Sequence, residues 1–596
     1  MRRANNARCR REMSFVRRRF NALWAAQAFG GLGALVLYAS IVDAIVVGNL
    51  VGVDGLAGVA AVLPMVVGAQ FVSRLVFCGS GYLFAKYQGQ VEPDKARRVV
   101  GLSLEAAAVV GLAIWAVTYL GRDLYLDAMG ISGAVREQAV AYWRWIFVYY
   151  AFFPVFRVLW RLVYADGEMV TTTVADVFVP PTNIILSIVF TKMTGSAAGA
   201  ALGLMAGDLT GVSIMSIHLL RKSNGVVPIW NFSWRGLREL VSYALTDSVA
   251  KLCQCGFLAV VSKLVVMTAS AAFLPVVSLV ALVQQLCDYL DRVGDAYMPI
   301  AGMYHGESNW PRLGELARYA LSWSLASGVL LVVAVELLAP QIVTLYGIPG
   351  GEVFDSTVIA LRLSGVVLPL AAVLLFLCSH YLVLDRIRLS LATTVSFGFL
   401  LTTGCTAALC FACGLDAMWL GLPLGAFLTL AALAVYCRVS ARRYSLLLLP
   451  EGTSAVFNRS FVPEARQVVR ARGDGERFLR EQGVGADVVS RIMLLIEECS
   501  MAVADAGRRT RTPLVEVSLV VDERAATLVL RDTGVTRDIT DTDAQAKSLR
   551  DFVIAGLMSS YESCRYLNTI GCNRSVFSFR LSLGRKVDPS YKRSQA

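Results

Sequence analysis

The chain has 596 residues, 56% of them hydrophobic and only 17% charged, with a mean hydropathy of +0.59. That is too apolar for a soluble protein of this length, so the class is a polytopic membrane protein. The net charge of +12 is read as topology and attraction to anionic lipid, and a nucleic-acid surface is excluded as its cause.

The start, MRRANNARCRREMSFVRRRF, is Arg-rich, without a short apolar region or a small-residue cleavage site, and is expected to be a basic cytoplasmic arm over 1–20. A membrane helix needs about 20 apolar residues. Candidate spans lie near 21–47, 57–84, 98–120, 139–164, 170–191, 197–220, 237–265, 270–300, 316–338, 358–384, 388–412 and 417–438, about twelve in all. The turns QGQVEPDKARR, RKSNGVVPIWNFSWRGLR, GESNWPRLGELAR, LDRIR and CRVSARR are basic, while the turns between them carry only Arg122, Arg136 and Lys192. Lys and Arg are retained on the cytoplasmic side, so both termini are expected in the cytoplasm of a plasma-membrane protein.

Two landmarks repeat at one offset. AKYQGQVEPDKARRVVG is echoed by GMYHGESNWPRLGEL, which matches Gly306 to Gly89, and LDAMGISG is echoed by TLYGIPGG, which matches Gly347 to Gly130; the spacing within the two pairs is identical. The membrane part is therefore expected to be two parallel six-helix bundles, 21–220 and 237–440, joined by a linker over 221–236.

Several charges fall inside these spans. Asp43, in IVDAIVVGNLVGVDG, costs a few kcal/mol or more in hydrocarbon, so it should face a cavity or a partner; the alternative is a helix-end residue at the outer interface. Asp247 and Lys251 in SYALTDSVAKLCQ share one helical face and suit an ion pair, serving either structure or a cavity wall. In LCDYLDRVGDAYMP, Asp288, Asp291 and Asp295 with Arg292 give an acidic stripe that suits cationic substrates, or else a solvated face. Asp208 in LMAGDLTG is a weaker candidate, and His218, His305 and His380 show no ligand spacing. Among 13 cysteines only Cys410 and Cys413, in CFAC, have a suggestive spacing, and both are read as small packing residues.

After Arg443 the composition becomes charged and alternating, giving a linker over 441–454, a domain over 455–586 and a short tail over 587–596. A helix at GADVVSRIMLLIEECSMAVADAG precedes strands PLVEVSLVVDE and RAATLVLRDTG, joined by a turn at Asp522–Ala525. A last helix around DFVIAGLMSSYESCRYL and a strand NRSVFSFRLSL complete a soluble α/β sandwich, helices on one face of an antiparallel sheet. No GxxxxGK[ST] occurs, which excludes a P-loop pump.

The run VDAIVVGNLVGVDGLAGVAAVLPM, with Asp43, Gly48, Asn49, Gly52, Gly55, Ala57 and Pro64, resembles the first-to-second span signature of multidrug and toxic compound extrusion (MATE) transporters. The likeness continues in Gly79 and Gly89, in YADGEM around Asp166 and Gly167, in PPTNIILSI around Asn183 and in DRVGDAYMPIAGMYHGE, covering about 15–445. It implies two six-helix bundles around a cavity that opens alternately to either side. It also implies export of small cationic organic compounds coupled to H+ or Na+, and a transporter rather than an enzyme. Asp43 and Asn183 take the ion-coupling role by position. Asp208, Asp247, Asp288, Asp291 and Asp295 are the cavity candidates. One departure is that Asn183 is followed four residues later by Ser187, where one subfamily has Asp.

The tail resembles the histidine-kinase-like (GHKL) ATPase module of anti-sigma regulatory kinases. IEECSMAVADAG supplies Glu498 as the matching carboxylate, and RDTGV supplies Asp532 and Gly534, the adenine contacts. ATP with magnesium is the implied ligand. Ala502 stands where an Asn should hold the metal, and no glycine-rich lid lies between Gly534 and Gly556, which implies weak or lost binding. The tail is thus expected to be a regulatory module, with a cytoplasmic regulatory protein as its partner. Two alternatives keep the same residues: a lipid-linked saccharide flippase of the same superfamily, favoured by a wide Arg-lined cavity, and a membrane-tethered anti-sigma or kinase protein with the transporter as sensor.

Overall fold

The computed structural model describes residues 15–36, 46–90, 92–128, 131–220, 225–268, 274–345, 351–439, 445–450, 454–507, 513–522, 524–534, 563–569 and 572–581. Asp43, Gly130, Gly347 and Gly556 lie outside the described residues.

Apolar runs become helices because each backbone amide in hydrocarbon must be paired within its own segment. The first half comprises α1 (Phe15–Val36), α2 (Val53–Gly89), α3 (Pro93–Ala128), α4 (Gly133–Ala165), α5 (Met169–Thr194) and α6 (Ala198–Leu219). The second comprises α7 (Trp234–Thr268), α8 (Leu274–Leu290), α9 (Arg292–Gly306), α10 (Trp310–Leu345), α11 (Glu352–Gly365), α12 (Leu368–Val383), α13 (Ile387–Val395), α14 (Leu401–Cys413) and α15 (Gly421–Val439). The repeat is visible in the helices themselves. Both ends of α10 are displaced from those of α3 by the interval that separates Gly306 from Gly89, and α2 and α9 both end on those matched glycines.

Among the described residues nine helices are long and apolar enough to cross a membrane, or ten when α11 and α12, bent by 42°, count as one. Of the other expected runs, 21–47 lies partly outside the described residues, which cover it only to Val36 and from Val46, and the eighth is divided at Asp291 into helices of 17 and 15 residues.

Described residues of four basic turns meet at one end of the bundle, called here the basic end: Gly89 and Gln90 lie against Met303 and Gly306, Lys86 against Asp385, and the Ile229 amide donates to the Arg97 carbonyl. There the halves meet backbone to backbone, as small residues permit. A Cβ on Gly89 would lie 2.6 Å from the Met303 carbonyl oxygen, and one on Gly306 would lie 2.7 Å from that of Lys86. Polar bridges flank this seam: Lys86 Nζ to Asp385 at 2.9 Å and to the Tyr243 hydroxyl at 3.0 Å, and the Tyr82 hydroxyl to the Val383 carbonyl at 2.9 Å.

The tail folds as β1 (Ala455–Phe461), α16 (Ala465–Glu481), α17 (Ala486–Gly507), β2 (Val515–Val521), β3 (Ala525–Asp532), β4 (Ser563–Thr569) and β5 (Cys572–Arg580). Its strands form one antiparallel sheet in the order β1-β2-β3-β5-β4. Alternate residues Val517, Leu519, Leu528, Leu530 and Phe577 point to one face and bury against Phe478, Ile492 and Ile496 of the two helices. The turn between β2 and β3 is held by Asp522, whose carboxylate accepts from the amides of Arg524 and Ala525, each at 2.7 Å. The stretch SCRYL, expected to close the last helix, is instead edge strand β4, because β5 offers it an open backbone ladder. β1 and α16 were not anticipated, although Val468, Ala471, Gly475 and Phe478 in α16 carry the helical spacing that identifies its buried face.

Candidate functional site

Charges inside an apolar bundle persist only where they are paired or wetted. Here helices from both halves bring theirs to one central region. Arg161 of α4 forms an ion pair with Asp295 of α9, joining the two halves. Arg292 donates to Gln27 Oε1 of α1 at 3.1 Å. Asp247 of α7 lies beside Cys78 of α2 and within electrostatic reach of Arg161 and Arg74. Arg157 stands 3.9 Å from Asp208, whose carboxylate accepts from the Tyr149 hydroxyl at 2.8 Å. Asp176 of α5 lies within reach of Arg157 and Arg292, and Asp291 within reach of Asp295 and Asp247. The result is one chain of alternating charge, from Asp208 through Arg157, Asp176, Arg292, Asp295 and Arg161 to Asp247.

This arrangement corrects two expectations. The Asp247–Lys251 pair does not form: Lys251 pairs with Asp288 of α8 and donates to Gln254 at 2.8 Å, while Asp247 turns to α2. Asp288 on the facing helix takes the Lys251 ammonium, while Asp247 has Arg161 and Arg74 within electrostatic reach in its place. The acidic stripe also does not form one wall. Asp288 is half-exposed beside Lys251, Asp295 is neutralised by Arg161, and Asp291 sits at the turn between α8 and α9. Asn183 is buried and accepts from the Ser187 hydroxyl at 3.0 Å, where α5 packs on Gly207 of α6, the neighbour of Asp208.

Arg74, Arg157, Arg161, Asp176 and Tyr149 were missed from sequence. The signal is present in the sequence: Arg157 and Arg161 are four apart in FRVLWRL, one face of the fourth span, a span whose charges the sequence reading does not single out. The histidines are structural. His218 pairs with Asp166 at 2.9 Å, His380 sits between the Tyr297 hydroxyl at 2.6 Å and the Leu447 carbonyl at 2.7 Å, and His305 packs edge-on against Trp310.

In the tail, Asp532 accepts from the Gly534 amide at 2.8 Å and from Asn573 Nδ2 at 2.9 Å. Burial raises its carboxyl above the usual range, and those two hydrogen bonds oppose the rise. Glu498 is half-buried on α17, and Ala502 is buried one turn further on. The region from 535 to 562, where a lid would lie, is outside the described residues.

Residues 33–189 match the MatE family model. None of the curated proteins compared matches the chain. Among solved structures, a MATE in complex with MaD3S is similar at 20% identity and a TM-score of 0.65, over 71% of this chain and 96% of the other. An outward-facing multidrug resistance MATE family transporter of the MOP superfamily is similar at 19% identity and a TM-score of 0.66, over 71% and 96%. A MOP superfamily transporter from Pyrococcus furiosus, described by a reverse polarity of its binding pocket that suggests a different function, is similar at 19% identity and a TM-score of 0.65, over 71% and 95%. The membrane part of this chain thus has the fold of MATE transporters.

Proposed function

We propose that the chain is a secondary active transporter of the MATE type, working by alternating access and driven by H+ or Na+, in the plasma membrane with the basic end and both termini cytoplasmic. The observation that supports it is the chain of paired charges between two pseudo-symmetric halves. Such pairs can break and re-form as the halves rock, and an arriving cation or substrate charge can replace one partner. Asp43 and Asn183 are the proposed ion-coupling residues, and Asp208, Asp247, Asp288, Asp291 and Asp295 the cavity carboxylates.

A second reading concerns cargo. Arg74, Arg157, Arg161 and Arg292 contribute as much to the central region as the carboxylates, so anionic or zwitterionic compounds, lipid-linked phosphosaccharides among them, compete with organic cations as substrate. The tail is proposed to be a GHKL-derived regulatory module that has weakened or lost ATP binding; a signalling protein using it as an active kinase is disfavoured by Ala502. The deciding experiment is uptake and efflux in proteoliposomes under separately imposed proton and sodium gradients, with paired cationic and anionic dyes. Efflux that follows one gradient and stops when it is collapsed is the expected result. Transport indifferent to both gradients would sink the coupled-transporter reading.

A further inference from the structure

The two faces of the tail sheet are chemically unlike. One is apolar and covered by α16 and α17. The other carries Glu516, Arg531 and Arg574, each 0% exposed, and it lies on the basic end of the membrane part. Arg574 donates to the carbonyls of Gln88 and Gly89, at the end of α2, and also pairs with Glu307, just beyond α9, at 2.7 Å. One guanidinium therefore touches both halves of the repeat where their matched glycines meet. Arg531 pairs with the same Glu307 and with Glu516 at 2.9 Å, Glu516 accepts from the Tyr304 hydroxyl at 2.9 Å, and Asn309 donates to Asn458 of β1 at 2.8 Å.

We propose that this charged sheet face is a latch over the seam. It holds the Gly89 and Gly306 ends together and must leave them before the basic end can open. The proposal rests on the alternating-access reading. A domain biases a conformational equilibrium only if it binds one state better. Arg574 can reach the Gly89 carbonyl and Glu307 together only while the two ends touch, so docking favours the closed seam.

The chemistry of the contact suits release. Buried ion pairs recover little more than the cost of desolvating them, and this sheet face, once withdrawn, presents charges that water solvates well. An apolar face would stay stuck. A cleft of ≈ 450 Å³, lined by Gln90, Glu92, Glu307, Asp522 and Arg574 among others, already runs between sheet and seam, so water has a route to the pairs. The gate and the tail are therefore one device, and whatever holds the sheet away opens the basic end.

The test is hydrogen exchange on the full-length protein in lipid nanodiscs, comparing wild type, Arg574→Met, Glu307→Gln and the swap Glu307→Arg with Arg574→Glu. Exchange at 82–92 and 300–310 should rise about tenfold in the single variants and fall back at least partly in the swap, while α17 and β2 stay protected. Unchanged protection at both segments overturns the proposal. If a variant unfolds the tail itself, the seam must still loosen, so a protected seam beside an exchanging α17 overturns it equally. Because the readout is conformational, it is separate from gradient-driven transport, whose failure would strike the transporter reading instead.

Discussion

The two halves of the membrane part share a scaffold but not a charge pattern. The spacing that matches Gly306 to Gly89 also matches Asp291 to Arg74, so equivalent places in the second and eighth spans carry opposite charges. The first-half helix α2 runs on for 37 residues through Arg74, whereas its counterpart is divided at Asp291. Arg157 and Arg161 correspond by the same offset to Leu374 and Cys378. Arg161 of the first half thus pairs with Asp295 of the second, Arg161 and Arg74 lie within reach of Asp247, and Arg292 of the second half lies within reach of Asp176 of the first, so the contact between the halves is electrostatically complementary where two identical halves would repel each other. Complementary charge fixes register and partner choice more than it adds stability. On the proposed alternating-access reading, in which the halves separate and rejoin, register is what such charges supply.

The sharpest way to break this comparison is to remove its one direct cross-half ion pair among the described central charges. Arg161→Met leaves Asp295 without its partner in a partly buried site, where breaking a pair costs about 3 kcal/mol. Transport should fall about a hundredfold, and the exchange Arg161→Asp with Asp295→Arg should recover part of it. A double-mutant cycle on initial efflux rates checks this; additive losses with no recovery would mean the two residues act separately.

Asp43→Asn should leave the fold intact and release transport from the ion gradient, because it removes an ionisable group from the first apolar run. Facilitated movement without accumulation is the expected outcome. Gradient-driven accumulation at the wild-type rate would remove Asp43 from the coupling role.

Charge asymmetry also predicts selectivity. Replacing Asp288, Asp291 and Asp295 together by Asn removes three negative charges and leaves Arg74, Arg157, Arg161 and Arg292 in place, so the field of the cavity turns positive. The ratio of cationic to anionic dye export should fall several-fold. Equal loss for both dyes would make the stripe purely structural, in line with the partners that Asp288 and Asp295 already have.

The span pattern, the tandem and both matched glycines were legible because hydropathy and basic turns are local signals that a bilayer enforces residue by residue. The central network was only half legible. Asp247, Asp291 and Asp295 were visible as intramembrane charges, but which partner each takes depends on how helices pack, and Lys251 chose a neighbouring helix over its own turn. In the tail, strands β2, β3 and β5 were readable from alternation, while β4 becomes a strand by pairing with β5, a non-local cause. The docked sheet face was not legible: alternation can put Glu516, Arg531 and Arg574 on one face, but what covers that face is set by the seam of the other domain, a non-local cause.

The smallest expected effect concerns the nucleotide motif, and it sharpens the contrast between the two faces of the tail sheet. A working site of this type needs a carboxylate to orient water, an oxygen ligand on magnesium and an aspartate free to receive the adenine amine. The resemblance of the tail to the GHKL module puts Ala502, buried in the packing of α17, where that module has its metal ligand, and Asp532 already accepts from Asn573 and from the Gly534 amide. Without the metal nothing neutralises the phosphates, so phosphoryl transfer fails before adenine recognition does. Glu498→Ala in the full-length protein should therefore leave transport within about 0.5 kcal/mol of wild type, the ordinary range for a change at a site with no special role. Titration calorimetry with magnesium ATP should give no heat at micromolar protein, and a phosphate-release assay no turnover. Micromolar binding with turnover that Glu498→Ala abolishes would reverse the assignment and make the helix-covered side of the sheet, rather than its charged side, the functional one.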